Sequence, residues 1–197
     1  MTRDTDVFIP LPERTLLANE HNADLFISIH ANASPRADRY GLETYYLDNA
    51  SDAAAEKLAA SENETIKDRG GLDFILQDLV VGGNVEYSKR LARAVHESTL
   101  TMLESHNPAK SVKNLGIKTA LFYVLFGAQM PSILLETAFI SNAGEEMRLT
   151  DAAFQDQVAD AVLEGIARYV REARAMNPMR ESKAPAAPGD SAHESGN

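Results

Sequence analysis

The chain contains no cysteine. That excludes disulfides and thiolate nucleophiles, and any metal site must be built from histidine and carboxylate. It is compatible with an oxidising compartment. No run approaches the ~18–20 apolar residues of a membrane span. The start, Met1-Thr2-Arg3-Asp4, lacks the apolar core of a secretory signal, so no signal peptide is expected in the chain as it stands. Positive charge is scarce: 19 Lys and Arg against 29 Asp and Glu give a net charge of -10. Phosphate recognition needs a basic surface, which argues against nucleic acid as a partner. A neutral or mildly anionic polymer stays open. What is present is an ordinary globular composition. The 197 residues are 44% hydrophobic, enough for one domain with a substantial core and room for an insertion.

Along the chain, Leu11-Pro12-Glu13-Arg14 reads as a helix start, with the helix running to about Asn22. Asp24 to Asn32 reads as a buried strand, and residues 35–39 as a polar loop. Gly41-Leu42-Glu43-Thr44-Tyr45-Tyr46-Leu47 alternates and is rich in strand formers. Residues 49–67 are Ala- and Glu-rich and predict a helix. Two Gly-Gly pairs, Gly70-Gly71 and Gly82-Gly83, bracket an apolar segment, Leu72 to Val81. That segment is either core or an element that docks on the domain. Asn84 is a cap for a long helix with Tyr87, Leu91, Val95, Ser98 and Met102 on one stripe. Gly116 to Leu125 and Pro131 to Ile140 predict strands. Phe154, Val158, Val162, Ile166 and Tyr169 mark a final amphipathic helix. After Met176 the composition shifts to Pro, Ala, Ser, Gly and charge, and disorder is expected. The alternation of strands and helices points to an α/β architecture.

Two buried-type strands each carry one chemically able side chain near the C-terminal end, which suggests a site at a sheet edge. Glu136 lies within Leu134-Leu135-Glu136-Thr137-Ala138. Glutamate is rarely buried unless paired or bound to something. Burial raises its pKa and suits it to general-base work; the alternative is pairing with a buried arginine. His30 ends an apolar strand and is either a zinc ligand or base, or a core histidine bonded to backbone. His21, His96 and His106 read as solvated, and His193 lies in the tail. Arg14, on a helix expected to pack near the His30 strand, and Asn32, just beyond His30, are candidates for substrate binding or site support. Arg3 and Asp6 read as solvated charge or capping.

These runs carry a resemblance. Thr2-Arg3-Asp4-Thr5-Asp6, Leu11 to Arg14 with Ala18-Asn19, Ala23 to Asn32, Gly41 to Leu47, and Leu134 to Asn142 together resemble the zinc-dependent N-acetylmuramoyl-L-alanine amidases, over about residues 2–172. The resemblance implies a mixed, mostly parallel sheet flanked by helices. It implies hydrolysis of the peptidoglycan amide between N-acetylmuramic acid and L-alanine, in cell-wall remodelling and daughter-cell separation. It also implies a periplasmic or cell-envelope location. His30 looks like a zinc ligand and Glu136 like the catalytic glutamate. Zinc would polarise the carbonyl and activate a water, and Glu136 would take the water proton and pass it to the leaving amine. Residues 49–83 resemble the insertion of the division-associated members. There a helix covers the zinc cleft until a partner with an inactive LytM-like domain pulls it away. Glu62 is the candidate blocking carboxylate, against the alternative of a solvated helix face. On this reading residues 1–174 are the catalytic domain and 175–197 a disordered tail.

The family's zinc site is completed by a histidine in a Gly-His-Gly-Gly run and by a glutamate early in the next helix. Neither is found in this chain, which leaves His30 as the single matching ligand. The expectation is a chain that begins inside the domain, lacking the first strand-helix-strand, with Met1 an internal methionine and with little activity as it stands. The alternative is an inactive remnant serving as a wall-binding or regulatory module.

Overall fold

Pro12 pre-sets the first turn of helix α1 (Leu11–Glu20), and the carboxylate of Glu13 favours the positive helix end. Beyond it Asn22 turns the chain at a φ of 48°, a left-handed value that asparagine tolerates. Strand β1 (Phe26–Asn32) follows, then strand β2 (Leu42–Leu47). Helix α2 (Ala53–Glu62) is capped by Asp52, whose carboxylate accepts the N–H groups of Ala54 and Ala55. Then come helix α3 (Val85–His106), strand β3 (Asn114–Ala120), a 3-10 turn at Tyr123–Leu125, and strand β4 (Ser132–Phe139). Helix α4 (Ala143–Leu149), capped by Asn142, and helix α5 (Ala152–Met176) are the last elements among the described residues. This computed structural model describes residues 1–63, 84–106 and 112–176. The readings for Gly70-Gly71, Leu72–Val81, Gly82-Gly83 and the tail lie outside those residues. No described helix is long and apolar enough to cross a membrane.

The sheet order is β1-β4-β2-β3. β1 runs parallel to β4 and β2 parallel to β3, while β2 and β4 are antiparallel, so the sheet is mixed. Every residue of β4 is buried, which is why it reads as a continuous apolar run rather than an alternation. Helices cover both faces. On one, Leu42, Ile133 and Leu135 pack against Leu91 and Val95 of α3 and Phe154, Val158 and Val162 of α5. On the other, Phe26, Tyr45 and Leu134 pack against Leu11 of α1, Ala55 and Ala59 of α2, and the 3-10 turn.

Three sequence expectations need correction. The apolar stretch to Leu125 is not all strand: pairing ends at Ala120, and Tyr123–Leu125 is a buried 3-10 turn. A short apolar run marks burial without fixing the backbone state. The stripe of α3 is shifted, since Tyr87 is exposed and Ser88, Leu91, Val95, Thr99 and Leu103 face inward. Small polar residues take inward positions here because their hydroxyls find partners: Ser88 accepts the Ser132 N–H and Thr99 donates to the Val95 carbonyl. His96 is buried rather than solvated. Its Nε2–H donates to Asn114 Oδ1 at 2.9 Å, and Nδ1 accepts from Thr44 Oγ1 at 2.9 Å. Burial lowers its pKa, so the ring stays neutral.

Two close approaches hold the frame. An added Cβ at Gly165 of α5 would lie 2.6 Å from Val95 Cα and 3.1 Å from the Ala94 carbonyl oxygen of α3. Gly165→Ala is therefore expected to destabilise the protein by ~2–3 kcal/mol, the overpacking cost exceeding the helix-propensity gain. Urea unfolding measures this, and a variant as stable as the parent would show that the helices do not cross so closely. At the entry to β2, Gly41 has a φ of 124°, and a Cβ there would sit 2.3 Å from the Lys113 carbonyl oxygen. Its N–H donates to the buried carboxylate of Glu145, which also accepts the Phe139 N–H at 2.7 Å. Glu145 thus pins the end of the 33–41 loop to the end of β4.

Candidate active site

Strand alternation brings the chemically able residues to one face. Across β1 and β4, His30 is the register partner of Glu136; across β2 and β4, Glu43 is. Ser28, His30 and Asn32 share the face of Phe26, and Glu136 that of Leu134, the side covered by α2. The last residue of α2 is Glu62. The next, Asn63, clamps that helix end: Nδ2 donates to the Leu121 carbonyl at 2.8 Å, and Oδ1 accepts the Tyr123 N–H at 3.0 Å.

Glu62 Oε2 lies 3.1 Å from His30 Nδ1, and the other ring nitrogen, Nε2, lies 3.0 Å from Ser28 Oγ. Donor atoms of His30, Glu62 and Glu136 all fall within 4.8 Å of one another. Glu136 is the most exacting member. Both its carboxylate oxygens are buried and have no hydrogen-bond partner among the described residues. Burial, reinforced by the negative charges of Glu62 and Glu43, pushes its pKa well above the ordinary range. Glu62 goes the other way. The hydrogen bond with His30 is the main cause of its lowered pKa, and the positive charges of His30 and Arg14 add to it. An imidazole beside two carboxylates, one of them orphaned, is a donor set that fits a divalent cation.

Arg14 is half-buried on α1, with its Nε donating to the Ile9 carbonyl at 2.9 Å and its charge felt at Glu62. Asn32 is buried at the end of β1 and lines a cavity of about 290 Å³. His21 is exposed and bonded to the Leu17 carbonyl. Glu43 is the residue that the sequence reading passed over. Its carboxylate accepts from the Tyr45 hydroxyl and lies 3.4 Å from Arg39 Nη2 and 3.5 Å from Lys118 Nζ. A signal existed in the alternation of Gly41 to Leu47, which places Glu43 and Tyr45 on the same inward face.

Comparison with known proteins accords with this arrangement. The family model described as N-acetylmuramoyl-L-alanine amidase matches residues 1–168. Over 86% of its length the chain is 34% identical to the N-acetylmuramoyl-L-alanine amidase AmiA of Escherichia coli strain K12, spanning 60% of that protein. It is 38% identical to AmiC of Escherichia coli O6:H1, again over 86% of the chain but spanning 41% of the relative. Among solved structures, the amidase AmiC2 of Nostoc punctiforme superposes with a TM-score of 0.61 at 30% identity, covering 86% of this chain and 71% of that one. The chain thus spans less than two thirds of the length of these two curated relatives. Within that span the match runs from before α1 into α5, through every element that carries a donor atom, and the chain belongs to the N-acetylmuramoyl-L-alanine amidase family.

Proposed function

We propose that the protein hydrolyses the amide between N-acetylmuramic acid and L-alanine in peptidoglycan, within the cell envelope, during wall remodelling and daughter-cell separation. The observation that carries this reading is Glu136: a buried carboxylate without a hydrogen-bond partner, held beside an imidazole and a second carboxylate. The cofactor in this proposal is zinc, with His30 as a ligand and Glu62 as a further donor in the resting arrangement. When bound, zinc supplies Lewis acidity toward the scissile carbonyl and makes an attacking water more acidic. Glu136 holds the proton removed from that water and delivers it to the departing amine of L-alanine. Its raised pKa suits both halves of the transfer. Ser28 Oγ, against Nε2, fixes the His30 ring so that Nδ1 faces the site.

Residues 49–83 form a regulatory insertion in this proposal, within a catalytic domain of residues 1–174, and residues 175–197 form a tail. Its described part, α2, carries Glu62 to His30. An activator with a LytM-like domain would act by binding this insertion.

Two measurements test the reading. In a form that also carries the two ligands of the family's zinc site not found in this chain, incubation with zinc and purified sacculi is expected to release new alanine amino groups and no new reducing sugar ends, whereas the chain as it stands should release little. Sacculus binding without amine release would overturn it in favour of a wall-binding module. His30→Ala is expected to lose most of the zinc retained after gel filtration, read by atomic absorption; unchanged zinc content would remove His30 from the ligand set.

A further inference from the structure

Beyond Glu136 the alternation of β4 breaks. Ile133 and Leu135 belong to the core on the α5 side, and Leu134 to the core on the α2 side. Thr137 keeps to this pattern and lines an apolar cavity with Phe154 and Val158 of α5. Strict alternation would turn Ala138 toward α2, yet it belongs to the same core as Ile133 and Leu135. Phe139 then stands on the site side, with the Arg39 guanidinium over its ring. Two successive residues on one face are the mark of a β-bulge, one extra residue in one strand. The register agrees. His30 is opposite Glu136, but Asn32, two residues on, is opposite Phe139, three residues on. Bulges are uncommon in parallel pairs such as β1 and β4, and they gather beside active sites, where they re-aim a side chain.

Side chains close the gap in the ladder. The Thr137 hydroxyl donates to the His30 carbonyl at 3.0 Å, and the Phe139 N–H donates to the Glu145 carboxylate at 2.7 Å. Main-chain bonding resumes where the Ile140 N–H donates to the Asn32 carbonyl at 2.8 Å. Thr137 is 5% exposed, against a mostly apolar cavity wall. Packing alone would favour valine there, since the two side chains are close in shape and a buried hydroxyl is costly unless bonded. What the hydroxyl adds is a hold on the main chain of the residue whose imidazole shares the site with Glu136.

We propose that Thr137 is a positioning residue: its hydroxyl locks β1 and β4 in the bulged register and so fixes the His30 imidazole, as a metal ligand, beside Glu136. The proposal rests on the amidase reading and names the part that holds its two central residues in place. A ligand imidazole is effective when its orientation is fixed by the groups around it. Ser28 fixes the ring of His30, and Thr137 fixes the main chain that carries the ring.

The test compares Thr137→Val, which keeps the branching and removes the donor, with Thr137→Ser, which keeps the donor. In the chain as it stands, amide hydrogen exchange of Ile140, just past the bulge, is expected to quicken about 5-fold in the valine variant, the effect of one lost hydrogen bond, and to keep the parent rate in the serine variant. The second readout uses a form that carries the family's two further zinc ligands. Its zinc affinity, measured by competition with a chromogenic chelator well below the melting temperature, is expected to fall about 10-fold with valine and to be kept with serine. A threonine that served packing alone would show the reverse, with zinc affinity unchanged by valine, and that result would overturn the proposal. If the valine variant fails to fold, Thr137→Ser and Thr137→Ala, which differ by the hydroxyl, decide in its place; equal zinc affinity in these two overturns the positioning role. Sacculus hydrolysis separates the two readings. Hydrolysis with zinc affinity indifferent to the hydroxyl removes Thr137 and leaves the amidase. Absence of hydrolysis in the extended parent removes the amidase, while zinc affinity still reports on Thr137.

Discussion

In a form that carries the family's two further zinc ligands, Glu136→Gln is expected to cut sacculus hydrolysis by about 10²–10⁴-fold, the usual contribution of a positioned general base, with zinc content unchanged. Glutamine preserves the shape of a side chain packed among fully buried neighbours, so the strand and its register should persist. What it loses is the ability to hold a proton between water and leaving amine. Stability should not fall with activity. The native carboxylate is buried, lacks partners and faces the negative charges of Glu62 and Glu43. Removing its charge relieves that cost, and the metal-free variant should melt at or above the parent temperature. A core residue chosen only for packing would lose stability and activity together. A glutamine variant that hydrolyses sacculi at the parent rate would remove Glu136 from the role of base.

Glu62→Ala should raise basal hydrolysis. Glu62 occupies the Nδ1 side of His30 at 3.1 Å, and on the proposed reading it competes there with substrate. A half-buried charge-assisted hydrogen bond, weakened by solvent screening, contributes about 1–2 kcal/mol. Losing it would shift the closed-to-open balance about 5- to 30-fold toward the open form. Asn63→Ala reaches the same end by another route, freeing the helix from the Leu121 carbonyl and Tyr123 N–H while leaving the carboxylate intact. Both variants should respond less to an activator than the parent does. If both fold, hold zinc and hydrolyse at the parent rate, α2 is a structural element and the inhibitory reading fails.

Legibility followed the physics of each element. Helices α1 and α5 could be read because Pro12 fixed one start and because Phe154, Val158, Val162 and Tyr169 repeat at helical spacing. β1 and β4 could be read because each is a short, nearly unbroken apolar run. The 3-10 turn at Tyr123–Leu125 could not, since periodicity is undefined over three residues. In the site, His30 and Glu136 stood out because each breaks an apolar run. Glu43 sits in a strand where a charge at alternate positions looks like the solvent face. Only the packing of α2 and the 3-10 turn over that face, which no local pattern shows, turns it inward. His96 misled for the mirror reason. It lies on a helix with many charges, and its partners Thr44 and Asn114 are 52 and 18 residues away in the chain. No local window contains them.

The opposed register of Glu43 and Glu136 also bears on how the chain reaches its fold. Side chains alternate across a sheet with period two, so a one-residue slip of β2 along β4 sends every inward residue of β2 to the other face. Glu43 would then be driven into the layer of Leu91, Val95 and the apolar residues of α5, away from Arg39 and Lys118, and Leu42 would be turned toward the site. A misaligned sheet therefore buries a carboxylate without the two cations that accompany it in the native register and is disfavoured. Residues that serve chemistry in the finished molecule act during its assembly as proofreaders of strand alignment, rejecting near-miss pairings that an all-apolar strand would tolerate.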